Sequence, residues 1–351
     1  MDPLSNVLVI SNGNDGQIPF LIRMYESLYH PQKGAFSGDF LFLSDHLSIS
    51  SQESLKKKNI PYEIVDKELV SHWEKLLQSE KHALGKIAKP LFIRHVIQNF
   101  GDRYSCLVYI DPDILLQKPI TEVLQLLLVE KRGVFYSAQT NPTMNIPWPK
   151  QQLERILKTK HLTKEELNDF GLEINTGFMF GDIESIAGFI NRLIDFMVTP
   201  PFNQYAKSDE DAEIPNDWHD QDFFRAYARI SNNHETFSII PPQYISHLCN
   251  NVYHDFSLVR FSTILKSKRS GEIPHLIHFA GGVWVHFLGL SIYYYGIRGA
   301  FVWLERITRR PLRLSRNWIK RNYHQFRRWW IPKYRKIKNS VKRTVNKIKT
   351  I

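Results

Sequence analysis

Residues 108–116, Val-Tyr-Ile-Asp-Pro-Asp-Ile-Leu-Leu, constrain the fold more than any other stretch of the chain. The apolar run into Ile110 reads as a strand buried on both faces, as in a parallel sheet covered by helices. Pro112 cannot donate to a ladder, so the strand is expected to stop there and turn. The turn frees Asp111 and Asp113 from strict alternation and lets both aim at one point. Two carboxylates converging at the C-terminal end of a buried strand suit a hard divalent cation that keeps positions open for phosphate oxygens. Ligands of open α/β sheets bind at that edge. The competing reading is a surface turn with two solvated acids.

The preceding chain alternates strand and helix. Val7 to Ile10 is an apolar strand running into Ser11-Asn12-Gly13-Asn14-Asp15-Gly16, a loop rich in residues that tolerate positive φ. Ile18 to Tyr29 is predicted helical, with Ile18, Leu21, Ile22, Tyr25 and Leu28 on one face. Phe40 to Leu43 is a strand, Gln52 to Lys58 a helix and Tyr62 to Val65 a strand. Lys86 to Asn99 looks helical despite Pro90, and Leu107 to Ile110 returns to strand. This is the order of an α/β protein with a mainly parallel, Rossmann-like sheet and helices on both faces. Residues 139–149 contain three prolines and no periodicity, the mark of a substrate loop on such scaffolds, in which Trp148 either stacks on a ligand or pins the loop. A short amphipathic helix is expected over 151–158.

Three later stretches carry polar groups at predicted strand or helix ends. In Glu173 to Asp182, Asn175-Thr176-Gly177 breaks an apolar run. Gly177 permits close approach of backbone to a ligand, and Asn175 offers an amide for hydroxyl recognition; the alternative is a β-bulge without a ligand. Asp220-Gln221-Asp222 opens a helix, where acids also serve simply as favourable N-terminal charges. Pro274 to Gly282 is a strand emptying into a glycine pair. His278 there would complete a three-ligand site with the two aspartates, or else be a satisfied core histidine.

Taken together, these segments resemble, in order, the motifs of nucleotide-sugar glycosyltransferases with the GT-A fold, in particular the glycogenin-like and bacterial lipopolysaccharide galactosyl- and glucosyltransferase family. The resemblance covers residues 7–282. It implies that Asp111, Asp113 and His278 bind Mn²⁺ or Mg²⁺, and that Ser11, Asn12 and Asp15 contact the nucleoside. It further implies that Asn175 and Asp220 orient sugar hydroxyls, that Gln221 lines the reacting face, and that Gly281 closes the metal-ligand motif beside the diphosphate. The family continues that motif into Lys-Pro-Trp, whereas here Gly281 is followed by Gly-Val-Trp-Val-His. Another cation, Lys86, Arg94 or Lys268, is expected to supply the missing charge.

The net charge of +11 is unevenly spread. Of 46 Lys and Arg, 17 lie beyond Glu305, where there is no acid, which leaves 29 against 35 Asp and Glu in the rest. Residues 283–297 lack charge but fall short of the ~20 needed to span a bilayer. Beyond them Ile319, Tyr323, Phe326 and Trp330 share one helical face, and Ile337, Val341, Val345 and Ile348 repeat it after Pro332. Basic, aromatic-rich amphipathic helices lie on anionic membranes, each Lys or Arg contributing on the order of 1 kcal/mol. Nucleic acid is not the expected partner, because phosphate binding needs no regular apolar face. Cys106 and Cys249 give no disulfide framework, and Met1-Asp2-Pro3 opens no signal peptide.

The expectation is therefore a GT-A-like domain over 1–282 and a membrane-association segment over 283–351, peripheral to the cytoplasmic membrane face. It would take a nucleotide sugar, a UDP-sugar by resemblance, as donor and a glycan or glycolipid as acceptor. The alternatives are a nucleotidyltransferase, which ordinarily carries a basic loop where Ser11 to Gly16 has no Lys or Arg, and an inactive adaptor of the same fold.

Overall fold

A computed structural model describes residues 4, 6–77, 87–130, 133–139 and 173–199. It also describes 220, 221, 223, 224 and 227, then 237–241, 243–248, 256–259, 264–268 and 270–279, except for some side chains. All of these belong to one compact unit, Met1–Val283. The expected substrate loop at 139–149 with Trp148, the helix at 151–158, Lys86, Gly281 and the basic tail lie outside them, apart from the backbone of Gln139. Among the described residues no helix is long and apolar enough to cross a membrane.

The chain forms β1 (Val7–Asn12), α1 (Ile18–Tyr29), β2 (Asp39–Ser44), α2 (Ile49–Lys57), β3 (Tyr62–Ile64), α3 (Lys67–Leu76) and α4 (Lys89–Phe100). It continues through β4 (Cys106–Ile110), β5 (Ile114–Leu116), α5 (Ile120–Leu124), α6 (Leu126–Glu130), β6 (Val134–Gln139), β7 (Glu173–Asp182) and α7 (Ile183–Val198). The last strands are β8 (Phe237–Ile240), β9 (Ile245–His247), β10 (Phe256–Leu258), β11 (Leu265–Ser267) and β12 (Leu276–His278). Helix α1 spans the predicted residues. Helix α4 starts later than expected, so Pro90 falls in its first turn, where a missing N–H costs nothing.

The main sheet runs β3-β2-β1-β4-β7-β6-β8 among the described residues. Every strand but β7 points the same way, so the sheet is mostly parallel rather than wholly so. Period-two alternation divides its side chains between two cores. Leu8, Ile10, Leu107 and Tyr109 pack with α3, α4 and α7, while Val7, Val9, Cys106 and Val108 pack with α1 and α2. Each large apolar side chain so buried contributes about 1.5–3 kcal/mol. Because both faces are covered, β4 reads as a continuous apolar run.

Two details place the site. Strand β7 runs unbroken through Asn175-Thr176-Gly177, where the sequence suggested a break. The irregularity lies in its pairing with β6, whose register jumps from Tyr136↔Met179 to Ser137↔Asn175. A second sheet, β5-β12-β9, brings Ile114 opposite His278 and His278 opposite His247. Gln117, buried just after β5, donates to the carbonyls of Leu265 at 3.0 Å and Pro274 at 3.2 Å, fastening β5 to the late part of the chain.

Candidate metal and donor site

Strand β4 ends at Ile110, and the chain turns through Asp111-Pro112-Asp113 before β5. The turn is fixed from both sides. The Asp111 N–H donates to the Gly177 carbonyl at 2.7 Å, and the Phe279 N–H donates to the Asp113 carbonyl at 3.1 Å. Asp111, Asp113 and His278 each present a ligand atom within 4.8 Å of the other two. His278 Nε2 lies 3.2 Å from Asp113 Oδ1 and 3.9 Å from Asp111 Oδ2. Two carboxylates and an imidazole are a donor set for Mn²⁺ or Mg²⁺ that leaves positions for phosphate oxygens. Space for such an ion depends on Gly177. A Cβ there would stand 2.5 Å from His278 Cε1 and 2.9 Å from Asp111 Oδ2.

The two oxygens of Asp111 have different neighbours. Oδ1 lies 2.7 Å from the Tyr109 hydroxyl and 3.1 Å from Lys89 Nζ, which leaves Oδ2 facing His278. The same hydroxyl lies 2.7 Å from the Asn12 amide. One hydroxyl proton serves one acceptor, so Tyr109 donates to the carboxylate and accepts from Asn12, whose amide orientation is exchangeable. Burial, and then Asp111, push the Tyr109 phenol well above its ordinary pKa, so it stays protonated.

Lys89, from the first turn of α4, is the cation that joins the segments. Its Nζ lies 2.9 Å from Asp220 Oδ2 and donates to the Thr176 carbonyl and hydroxyl oxygens, both at 3.2 Å. It also sits 4.7 Å from the centre of the Tyr109 ring. Burial alone would lower its pKa, but Asp111 and Asp220 outweigh that and hold it above the ordinary value. The Thr176 hydroxyl in turn donates to Asp220 Oδ2 at 2.9 Å.

Burial also disfavours charge on His278, yet Asp113, with Asp111 behind it, raises its pKa above 6.5. Asp113 moves oppositely. Burial would raise its pKa, and His278 holds it below 3.8. On the far side of the ring, His278 Nδ1 lies 2.8 Å from His247 Nδ1, and burial, then the charge of His278, hold His247 well below 6.5.

Of the nucleoside residues read from the sequence, Asn12 reaches the site and Ser11 does not. Ser11 is fully buried, and alternation along β1 turns its side chain to the α1 face, away from Tyr109. Asp15 is exposed and accepts from the Ser48 N–H at 3.0 Å and hydroxyl at 3.1 Å, tying the β1 loop to the start of α2. Asn175 is buried, with its Oδ1 accepting from the Gly177 N–H at 2.8 Å. Gln221 is half-buried beside Asp220 in a helical segment. Arg94 is partly buried, which lowers its pKa, and the charge of Asp195 opposes that shift. Sequence reasoning missed Lys89, Tyr109, Thr176 and His247.

No family model and no curated protein sequence matches the chain. Solved structures do. Mouse xyloside xylosyltransferase 1, in its apo form, superposes with a TM-score of 0.52 at 15% identity, over 79% of this chain and 98% of that one. The WbbM bifunctional glycosyltransferase, also apo, gives 0.50 at 13% identity over 87% of this chain and 53% of its own. A looser likeness, TM-score 0.49 at 12% identity, is to galactosyltransferase LgtC in complex with donor and acceptor sugar analogs, over 85% and 95% of the two chains. The domain is thus an α/β protein of the GT-A-like glycosyltransferase fold. In this chain that fold carries the expected acidic turn at the C-terminal end of its central strand.

Proposed function

We propose that this chain is a metal-dependent glycosyltransferase that moves a sugar from a nucleotide diphosphate sugar, a UDP-sugar by family resemblance, to a glycan or glycolipid hydroxyl at the cytoplasmic membrane face. The observation that carries the reading is the convergence of Asp111, Asp113 and His278 within 4.8 Å at the C-terminal end of β4. The fold it shares with a xylosyltransferase and a bifunctional glycosyltransferase supports it.

In the reaction the acceptor oxygen bonds to the anomeric carbon as the bond from that carbon to the diphosphate oxygen breaks; the diphosphate leaves with the bonding pair, and the acceptor's proton passes to it. Asp111 Oδ2, Asp113 and His278 Nε2 would hold Mn²⁺ or Mg²⁺, which supplies Lewis-acid stabilisation of the leaving diphosphate. Lys89 fixes Asp111 and Asp220 through its two ion pairs and keeps a positive charge beside the proposed cation position. Asp220 and Asn175 position sugar hydroxyls, and Gln221 lines the reacting face. Asn12, held by Tyr109, borders the nucleoside.

Asp113→Asn tests this directly. It should weaken Mn²⁺ binding by more than the ~100-fold typical of supporting residues and abolish donor hydrolysis across a panel of nucleotide sugars. Stability should fall only by about 1 kcal/mol after solvent screening, because His278 can shed its proton once its partner is gone. Wild-type hydrolysis by this variant would end the proposal. Titration of UDP and Mn²⁺ into the wild type separates an enzyme from an inactive adaptor, which would bind neither.

The basic tail carries the membrane part of the proposal on sequence alone. Replacing Ile319, Tyr323, Phe326 and Trp330 with Ser keeps every charge and removes the apolar face. Anionic-vesicle binding should then vanish at high salt, where the surface field is screened within a few ångströms. Equal pelleting of both forms at high salt would leave only a charge interaction.

A further inference from the structure

Resting on the cation-site reading above, we propose that His247 is the positioning residue that holds the His278 ring in the form presenting a bare Nε2 to the cation. His247 ends β9, and the parallel pairing with β12 sets it opposite His278. The Leu248 N–H donates to the His278 carbonyl at 2.8 Å, so the two backbones are fixed as well as the rings. The rings stand 74° apart with centroids 5.0 Å apart, and their Nδ1 atoms approach to 2.8 Å.

Two imidazole nitrogens at that distance share one proton, one donating and one accepting. His278 Nε2 points at Asp113 Oδ1 and Asp111 Oδ2. A ligating nitrogen carries no proton, so a ligating His278 keeps its proton on Nδ1, and the acceptor in line is His247 Nδ1. An Nε2-protonated His278 would aim an N–H into the cation position instead. His247 then holds its own proton on Nε2. That atom is buried and finds no hydrogen-bond partner among the described residues. A buried donor left unmatched calls for a reason, and fixing the neighbouring ring supplies one. Metal-bound histidines usually rest on a carboxylate, carbonyl or water. A neutral ring does the same work without adding negative charge behind the ligand.

Histidine ¹⁵N shifts of the full-length, metal-free protein read the tautomer directly. His247 should be the Nε2–H form, and an Nδ1–H form overturns the proposal. His247→Phe keeps bulk and removes the acceptor. Its Mn²⁺ affinity by calorimetry should fall about 10–100-fold. His247→Asn places an amide oxygen close to the lost Nδ1 and should restore most of the affinity, which a merely space-filling role would not predict. If His247→Phe does not fold, the wild-type tautomer and the His247→Asn affinity still decide. Asp113→Asn is the control. Unchanged Mn²⁺ binding there overturns the cation site and this inference with it. Lost binding there beside wild-type binding in His247→Phe overturns the role of His247 alone.

Discussion

The two sides of the acidic turn are neutralised in different ways. Asp111 meets Lys89 at 3.1 Å and the Tyr109 hydroxyl at 2.7 Å, both bound into the core around α4 and β4. Asp113 meets His278 at 3.2 Å, on a small sheet built late in the chain. The lysine is held charged by two carboxylates and stays so at any ordinary pH. The imidazole gives up its charge when its proton leaves. One side is therefore permanent architecture, and the other is where, under the proposed function, a proton and a divalent cation would compete.

Breaking the permanent side should cost most. Lys89→Met leaves Asp111 and Asp220 without their shared cation in a largely buried setting, so stability should drop by about 3 kcal/mol. Urea denaturation measures this, and an unchanged midpoint would erase the distinction between the sides. Gly177→Ala acts between them, driving a methyl group against His278 and Asp111. Strain of about 1–3 kcal/mol is expected, with a loss of Mn²⁺ affinity on the order of tenfold. Thermal melts and calorimetry on the same variant check both.

The smallest effect sharpens the comparison. In the metal-free protein His278 has a raised pKa, so its contribution to stability is complete below its unfolded value and fades as pH climbs through the folded one. Asp113 has a depressed pKa, so its contribution is present above its unfolded value and is lost as pH falls through the folded one. The pair stabilises the metal-free protein chiefly in mild acid. Mn²⁺ binding runs the other way, because His278 must lose its proton to ligate. Affinity should rise up to about tenfold per pH unit until His278 has titrated, then level off. A flat calorimetric profile between about pH 5 and pH 8 would remove His278 from the ligand set.

Local signals made much of the first hundred residues legible. Helix α1 follows from the spacing of Ile18, Leu21 and Leu28, and the acidic turn from Pro112 after a buried run. Helix α3 is equally legible, with Asp66 capping the Glu68 N–H at 2.6 Å and Leu69, Val70, Trp73 and Leu76 spaced for one face. Lys89 was not legible. A lysine at a helix N-terminus opposes the helix dipole and reads as a solvated charge, and its partners come from residues 111 and 220. Ser11 and Asn12 show a different limit. Neighbours on a strand face opposite ways, and only the covering helix tells which one faces Tyr109 and the acidic turn. His247 belongs to a three-residue strand without a motif, and its partner is 31 residues on.

The pairing of β5 with β12 has a consequence for how the molecule comes into being. Gln117 bonds to Pro274, 157 residues further on, and the same junction brings His278 to the acidic turn. Closing so long a loop comes late, since its entropic cost precedes the reward of its contacts. A nascent chain that has emerged only through β7 already owns both aspartates, but it has no His278, no His247 and no strand to hold the turn. Under the proposed function such a chain could not yet hold the ion, and the site would be complete only once β12 has paired with β5 and β9.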